Sequence, residues 1–369
     1  MNVLMIDQWL PGQPYTQELA RELSRHVELT VAAPRYYHPQ GERFRNKSVL
    51  ESKVKESRFG LLRYFRGLAW LYGAALFGRY DVLHVQAFKK WELEMRPFEW
   101  AKRFGHKKLV YTAHNILPHE HGDNQREAEA LKRWYRLCDA ILVHNESSRR
   151  VLLDFEPSVA DKVQVIAHGT FDNYAETVKE QPHEKTVFLA FGAIRKYKGI
   201  DTLLHEAALL PQSLREQIRI VIAGNQRKEL DNTDYQALLE KEGVGDFVTL
   251  ERRFIPDGEL PAYFNGCDCC LFPYKNIYGS GALLLAYTFR KPVIASRIPT
   301  FEEETGGGKT GLLYDSAREG ALAEAITRFV SLPEAERAAM RASTQEICRT
   351  KYSWAVSAEN LAALYRSLR

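Results

Sequence analysis

No window of the 369-residue sequence holds the ~18 uninterrupted apolar residues that a membrane span requires. The first residues, Met1-Asn2-Val3-Leu4-Met5-Ile6-Asp7, include no basic stretch and no small-residue cleavage site. A secretory signal is therefore not expected, and a cytoplasmic location is. Cysteine is sparse: five residues, of which Cys267, Cys269 and Cys270 cluster. Zinc sites join one such pair to a second pair of Cys or His at fixed spacing. No second pair lies nearby, and the run continues as Leu271-Phe272-Pro273. Buried thiols on a strand are the expectation, with no metal. Neither a repeat of solenoid period nor a low-complexity tract is present. Neither sign of charge dominates, with 51 Lys and Arg against 47 Asp and Glu. The distribution is uneven, however. Between Arg35 and Lys108 there are 17 Lys and Arg against 7 Asp and Glu, a local excess of +10. That suits a solvated face or an anionic partner.

What is abundant is alternation of short β-rich runs with helical stretches. At roughly 100–200 residues per domain, the length fits two domains. Strands are predicted at Val3–Gln8, Glu28–Ala33, Asp81–Ala87, Lys108–Ala113, Ala140–Asn145 and Val163–Ala167. Helices are predicted between them at Thr16–His26, Trp91–Phe104, Glu127–Cys138 and Ser147–Phe155. The strand runs are near-continuous Val, Ile and Leu, the pattern of strands buried on both faces of a parallel sheet. A polar segment from Thr170 to Lys185, containing Pro182, breaks the pattern and reads as a linker. Alternation then resumes, with strands at Thr186–Gly192, Ile218–Ala223, Phe247–Glu251, Cys267–Pro273, Pro292–Ser296 and Gly311–Tyr314. The expectation is an α/β protein of two doubly wound, Rossmann-like domains facing across a cleft. They cover 1–169 and 170–352, and a final helix over 353–369 packs back on the first.

Ligands of open α/β sheets bind beyond the carboxyl ends of the strands, so the loops after strands carry the argument. Leu10-Pro11-Gly12-Gln13-Pro14 follows the first strand. Gly12 permits close backbone approach to a ligand at a helix N-terminus, although Pro-Gly is equally a plain turn. The loop is not G-x-G-x-x-G, which counts against NAD. Phe191-Gly192-Ala193-Ile194-Arg195-Lys196-Tyr197-Lys198-Gly199 places three cations at a strand-to-helix turn, where a diphosphate would need them. In Tyr278-Gly279-Ser280-Gly281, small residues open a helix whose N–H groups can cradle phosphate. Tyr111-Thr112-Ala113-His114-Asn115 ends another strand, and His114 there can bond a hydroxylated ligand. His114, His119 and His121 match no metal-site spacing.

Taken in order, these motifs resemble the GT4-type glycosyltransferases of the GT-B fold. The likeness extends through Val221-Ile222-Ala223-Gly224, Ile255-Pro256-Asp257-Gly258-Glu259-Leu260, Ser280-Gly281 and Lys291-Pro292-Val293-Ile294-Ala295-Ser296. It implies that Arg195, Lys198, Ser280, Gly281 and Gly12 hold a donor diphosphate. Gly224, Arg253, Phe254, Ile255 and Tyr278 would serve the nucleotide. His114 would contact the transferred sugar, and if configuration inverts, His114 or Glu120 would act as base. One departure stands out. Where the family has two glutamates with seven residues between them, this chain has Ile277 and Leu285.

The expected function is sugar transfer from a UDP- or GDP-type donor to a saccharide or polyprenyl-linked acceptor, with no cofactor and no metal. Arg63 and Arg66 interleave with Phe59, Leu61, Leu62, Phe65 and Trp70, which fits an amphipathic helix on the sheet or one at the inner membrane surface. Nucleic acid is not expected, because the basic region matches no recognised module. A sugar-nucleotide epimerase and a non-catalytic partner subunit are the alternatives. The retained cations argue against the second.

Overall fold

The computed structural model describes residues 1–10, 15–51, 58–87, 91–105, 107–117, 124–179 and 184–368. Its contacts separate two units, Met1–Gly169 with Tyr352–Arg369 and Thr170–Lys351.

In the first unit the strands are β1 (Asn2–Ile6), β2 (Glu28–Pro34), β3 (Arg45–Leu50), β4 (Val82–Val85), β5 (Lys108–Thr112), β6 (Ala140–Val143) and β7 (Val163–Val165). They form one sheet in the order β3-β2-β1-β4-β5-β6-β7, every pair parallel. β3 was not expected from the sequence. Arg-Asn-Lys-Ser-Val-Leu lacks the apolar run, and as an edge strand it is only half covered. The predicted helix Trp91–Phe104 is two helices, Trp91–Glu94 and Arg96–Phe104, with Pro97 starting the second. The final helix, Trp354–Ser367, packs Trp354, Ala358, Leu361, Ala362 and Tyr365 into the same core as Val3, Met5, Tyr15 and Leu19.

The second unit has β8 (Thr186–Phe191), β9 (Ile218–Ala223), β10 (Val248–Glu251), β11 (Cys269–Phe272), β12 (Val293–Ser296) and β13 (Gly311–Tyr314). Their order is β10-β9-β8-β11-β12-β13, again all parallel. β11 is shorter than the predicted Cys267–Pro273; Cys267, Cys269 and Cys270 are all buried as expected, with Cys267 just before the strand. Glu302, Glu303 and Glu304 lie in the helix Pro299–Glu304.

In each sheet the chain reverses its direction of winding beside a central strand. β1 lies between β2 and β4, and β8 between β9 and β11. The connections on either side of such a point leave to opposite faces, so a crevice opens at the carboxyl ends.

Candidate functional site

The crevice of the second unit lies between the loops that follow β8 and β11. Its walls are fixed by backbone contacts that only small residues allow. Gly199 adopts φ +65°, and a Cβ there would meet the Pro273 carbonyl oxygen at 2.0 Å. Across the same seam the Lys275 N–H donates to the Tyr197 oxygen at 2.7 Å. The loop after β9 closes the third side, since a Cβ on Gly224 would lie 2.0 Å from the Gly192 oxygen.

Lys198 sits at the bottom of this crevice, 8% exposed. Its ammonium donates to the Phe191 oxygen at 3.1 Å and lies 5.2 Å from the centre of the Tyr274 ring. Gly192 makes room for it, because a Cβ there would approach Nζ to 2.6 Å. Burial lowers its pKa to about 8; Tyr197 opposes that shift and Arg195 adds to it. Among the described residues no carboxylate takes part, so a desolvated cation stands there without an anion, an arrangement that favours an anionic ligand. Arg195 is half-buried on extended backbone at the start of the Lys196–Lys198 turn. Ser280 caps the helix Gly281–Thr288, its hydroxyl accepting from Leu283 N–H at 3.2 Å. The first turn of that helix carries no acidic residue. Gly281 has open space around it, the nearest atom to an added Cβ being a Phe171 ring carbon at 3.8 Å. The structure thus brings Lys198 and the loop preceding Ser280 to one crevice.

The residues expected around the nucleotide are dispersed in character. Gly224 forms the seam just described. Arg253 is already engaged, donating to Glu259 at 2.5 Å and to the Tyr263 hydroxyl at 2.9 Å. Phe254 is 69% exposed, Ile255 is buried and Tyr278 is half-buried. Leu285 is buried within its helix, and Ile277 offers its carbonyl to the Thr300 hydroxyl at 2.7 Å. Of the neighbouring acids, Glu302 pairs with Arg297 at 3.0 Å and Glu303 with Lys351 at 3.5 Å.

In the first unit, Gly12 and Glu120 lie outside the described residues, as do His119 and His121. His114 is placed, and it is not solitary. His84 on β4, His114 after β5, His144 after β6 and His168 after β7 line the carboxyl edge of four adjacent strands. The Tyr15 ring lies 4.7, 5.2 and 4.9 Å from the rings of His114, His144 and His168. Both nitrogens of His114 are engaged: Nε2 is 3.1 Å from Gln86 Oε1, and Nδ1 is 3.3 Å from His144 Nε2. A hydroxylated ligand would have to displace one of them. Sequence reasoning singled out only His114. The signal for the others was a histidine on or just after each buried apolar run, as in Val143-His144-Asn145. Among the described residues no group of three or more His, Cys, Asp or Glu is placed to hold a metal.

A second feature of this unit is its outer face. The helix Gly60–Phe77 contains no acidic residue and two arginines. Leu61, Leu62, Phe65 and Phe77 are about half or more exposed, as are Phe59 before the helix and Trp100 and Phe104 on the helix Arg96–Phe104. Among the described residues no helix is long and apolar enough to cross a membrane.

Comparison with known proteins gives two family matches, one to each half. Glycosyltransferase Family 4 matches residues 12–171, and Glycosyl transferases group 1 matches residues 175–346. The GDP-mannose:glycolipid 4-beta-D-mannosyltransferase of Xanthomonas campestris pv. campestris is 28% identical over 218 residues, 58% of this chain and 58% of its own length. The D-inositol 3-phosphate glycosyltransferase of Corynebacterium glutamicum is 25% identical over 283 residues, 70% of this chain and 66% of its own. Among solved structures, HepE of Anabaena in complex with UDP and glucose has a TM-score of 0.72 at 18% identity, covering all of both chains. Sucrose-phosphate synthase of Thermosynechococcus elongatus has 0.75 at 18%, covering 100% of this chain and 99% of its own.

Proposed function

Because the chain belongs to the group 1 glycosyl transferases with a family 4 first half, we propose that it transfers a sugar from a nucleoside-diphosphate donor to a hydroxyl of a saccharide or lipid-linked saccharide. The observation that carries this reading is Lys198, a buried ammonium with no carboxylate partner at the switch point of the second sheet. The donor diphosphate lies against Lys198 and Arg195, with the N–H groups at Ser280 and Gly281 facing it. As the anomeric C–O bond breaks, negative charge builds on the leaving diphosphate. Fixed cations and helix dipoles aimed at that charge stabilise the transition state more than the ground state. The donor is of UDP or GDP type: HepE binds UDP, and the Xanthomonas relative is named for GDP-mannose.

The acceptor belongs to the first unit and is lipid-linked, in keeping with the relative named for a glycolipid. The apolar, acid-free face of Gly60–Phe77, with Arg63 and Arg66 on the helix, lies on the anionic inner surface of a membrane. Basic residues near such a surface each contribute about 1 kcal/mol.

The test is thermal unfolding with UDP, GDP, ADP, CMP and dTDP, on the native protein and on Lys198→Met. A ligand at ~100 times its dissociation constant stabilises by about 2.7 kcal/mol, which raises Tm by several degrees. One nucleoside diphosphate should raise Tm, and the variant should lose that response. No response to any of the five would favour the non-catalytic subunit instead.

A further inference from the structure

Six hydrogen bonds at the carboxyl edge of the first sheet form one network, five of them in a line and one a branch to Thr112. Tyr365 Oη is 2.5 Å from His84 Nδ1. His84 Nε2 is 2.8 Å from Thr112 Oγ1 and 3.3 Å from Nε2 of the Gln86 amide. The other end of that amide is 3.1 Å from His114 Nε2. His114 Nδ1 is 3.3 Å from His144 Nε2, and His144 Nδ1 is 3.1 Å from the Ile166 carbonyl oxygen. His84 and Gln86 are fully buried, and burial depresses the pKa of all three histidines, that of His84 to about 3.

The Ile166 carbonyl can only accept, so His144 carries its proton on Nδ1. A neutral imidazole has one N–H, which leaves His144 Nε2 a lone pair. His114 must then donate from Nδ1, and its own Nε2 is a lone pair that needs a donor. The NH2 end of Gln86, which faces His84 while the oxygen faces His114, supplies one when the amide is turned over. Its oxygen then accepts from His84 Nε2–H, and His84 Nδ1 accepts from the Tyr365 hydroxyl. The His84 Nε2–H is shared with the Thr112 hydroxyl, and the protons along the chain all run in one direction. With the amide turned the other way, His114 carries its proton on Nε2. The lone pairs of His114 Nδ1 and His144 Nε2 then oppose each other at 3.3 Å. Only an additional proton, held by the buried pair as an imidazolium, relieves that. Burial opposes the charge, and among the described residues the other rings set against the pair, those of Tyr15 and His168, bring no carboxylate.

We propose that His144, anchored by the Ile166 carbonyl, is a positioning residue that places the proton of His114 on Nδ1 and leaves Nε2 as an acceptor covered by the Gln86 amide. Resting on the transferase reading, this leaves His114 Nε2 to accept from a hydroxyl of the sugar acceptor, and if configuration inverts it is the nitrogen that takes the proton. The hydroxyl displaces the Gln86 amide and donates to His114 Nε2 in its place. The final helix takes part at a distance, since Tyr365 begins the chain.

The experiment is 15N NMR of the histidine-labelled full chain, native and with His144→Asn. Asparagine can keep a donor on the Ile166 carbonyl while removing the acceptor at Nε2. In the native protein, His114 should show a protonated Nδ1 and a bare Nε2. In His144→Asn it should change to Nε2–H, and Gln86→Glu, which presents only acceptors, should make the pair cationic. A protonated Nε2 on native His114, or an unchanged tautomer in His144→Asn, overturns the proposal. Turnover is read separately on the same samples. His144→Asn should lower kcat at unchanged donor KM. The predicted tautomers with no turnover by the native protein would refute the transferase reading and leave the positioning role standing.

Discussion

Replacing Lys198 with methionine separates a ligand-binding cation from a structural one, because the two roles predict opposite changes in stability. The ammonium is 8% exposed and its pKa is lowered from 10.5 to about 8. At about 1.4 kcal/mol per pKa unit, holding it charged inside the ligand-free fold costs roughly 3 kcal/mol at neutral pH. Lys198→Met removes that cost while keeping the apolar stem, so the ligand-free second unit should gain up to about 3 kcal/mol in urea unfolding at pH 7. The sign of the pH dependence follows. A lysine whose folded pKa is depressed penalises folding below that pKa, and the penalty is relieved as pH rises from about 8 to 10.5. The native protein should gain relative to the variant over that window. Binding shows the mirror image. With a free-state pKa of about 8, Lys198 is about nine-tenths charged at pH 7 and about one-tenth at pH 9. Nucleoside diphosphate affinity should therefore fall about tenfold between those values, with uptake of about half a proton at pH 8. Titration calorimetry in buffers of different ionisation enthalpy measures the uptake. A destabilised variant, or binding at pH 8 without proton uptake, would refute the reasoning.

Gly199→Ala forces a side chain into left-handed backbone and against the Pro273 oxygen. It should destabilise the second unit by about 2–4 kcal/mol in urea and weaken nucleotide binding in step. Acid should unfold the first unit early. Burial lowers the pKa of His84 and His168 from 6.5 to about 3, so the unfolded chain binds more protons below pH 6.5. Between pH 7 and 5.5 the two together should remove about 2–3 kcal/mol, and His84→Gln should halve that loss in urea titrations at the two pH values. Replacing Arg63 and Arg66 with glutamate should abolish sedimentation with anionic phospholipid vesicles while neutral vesicles show no difference. Unchanged binding to anionic vesicles would refute the membrane-surface reading.

The arrangement of two α/β halves was legible because buried parallel strands announce themselves as uninterrupted Val, Ile and Leu runs. Ile218–Ala223 and Gly311–Tyr314 match the structure to the residue. Arg45–Leu50 escaped, because an edge strand covered on one side needs no such run. The cationic turn Arg195–Lys198 and the Ser280-Gly281 helix start were equally legible, since charge and small residues at strand ends are local features of the chain. What sequence could not supply was environment. Whether Lys198 is a solvated lysine or a desolvated cation depends on Gly192, Pro273 and Tyr274 closing around it from two strands far apart in the chain. That Arg253 is shared with Glu259 and Tyr263 could likewise be seen only once the chain had folded. His114 looked solitary until β4, β5, β6 and β7 aligned side by side and brought His84, His144 and the Ile166 carbonyl to its ring plane's neighbours. Residue type fixes which protons and charges a chain has; the tertiary packing, by removing water and choosing each group's partners, decides where those protons sit.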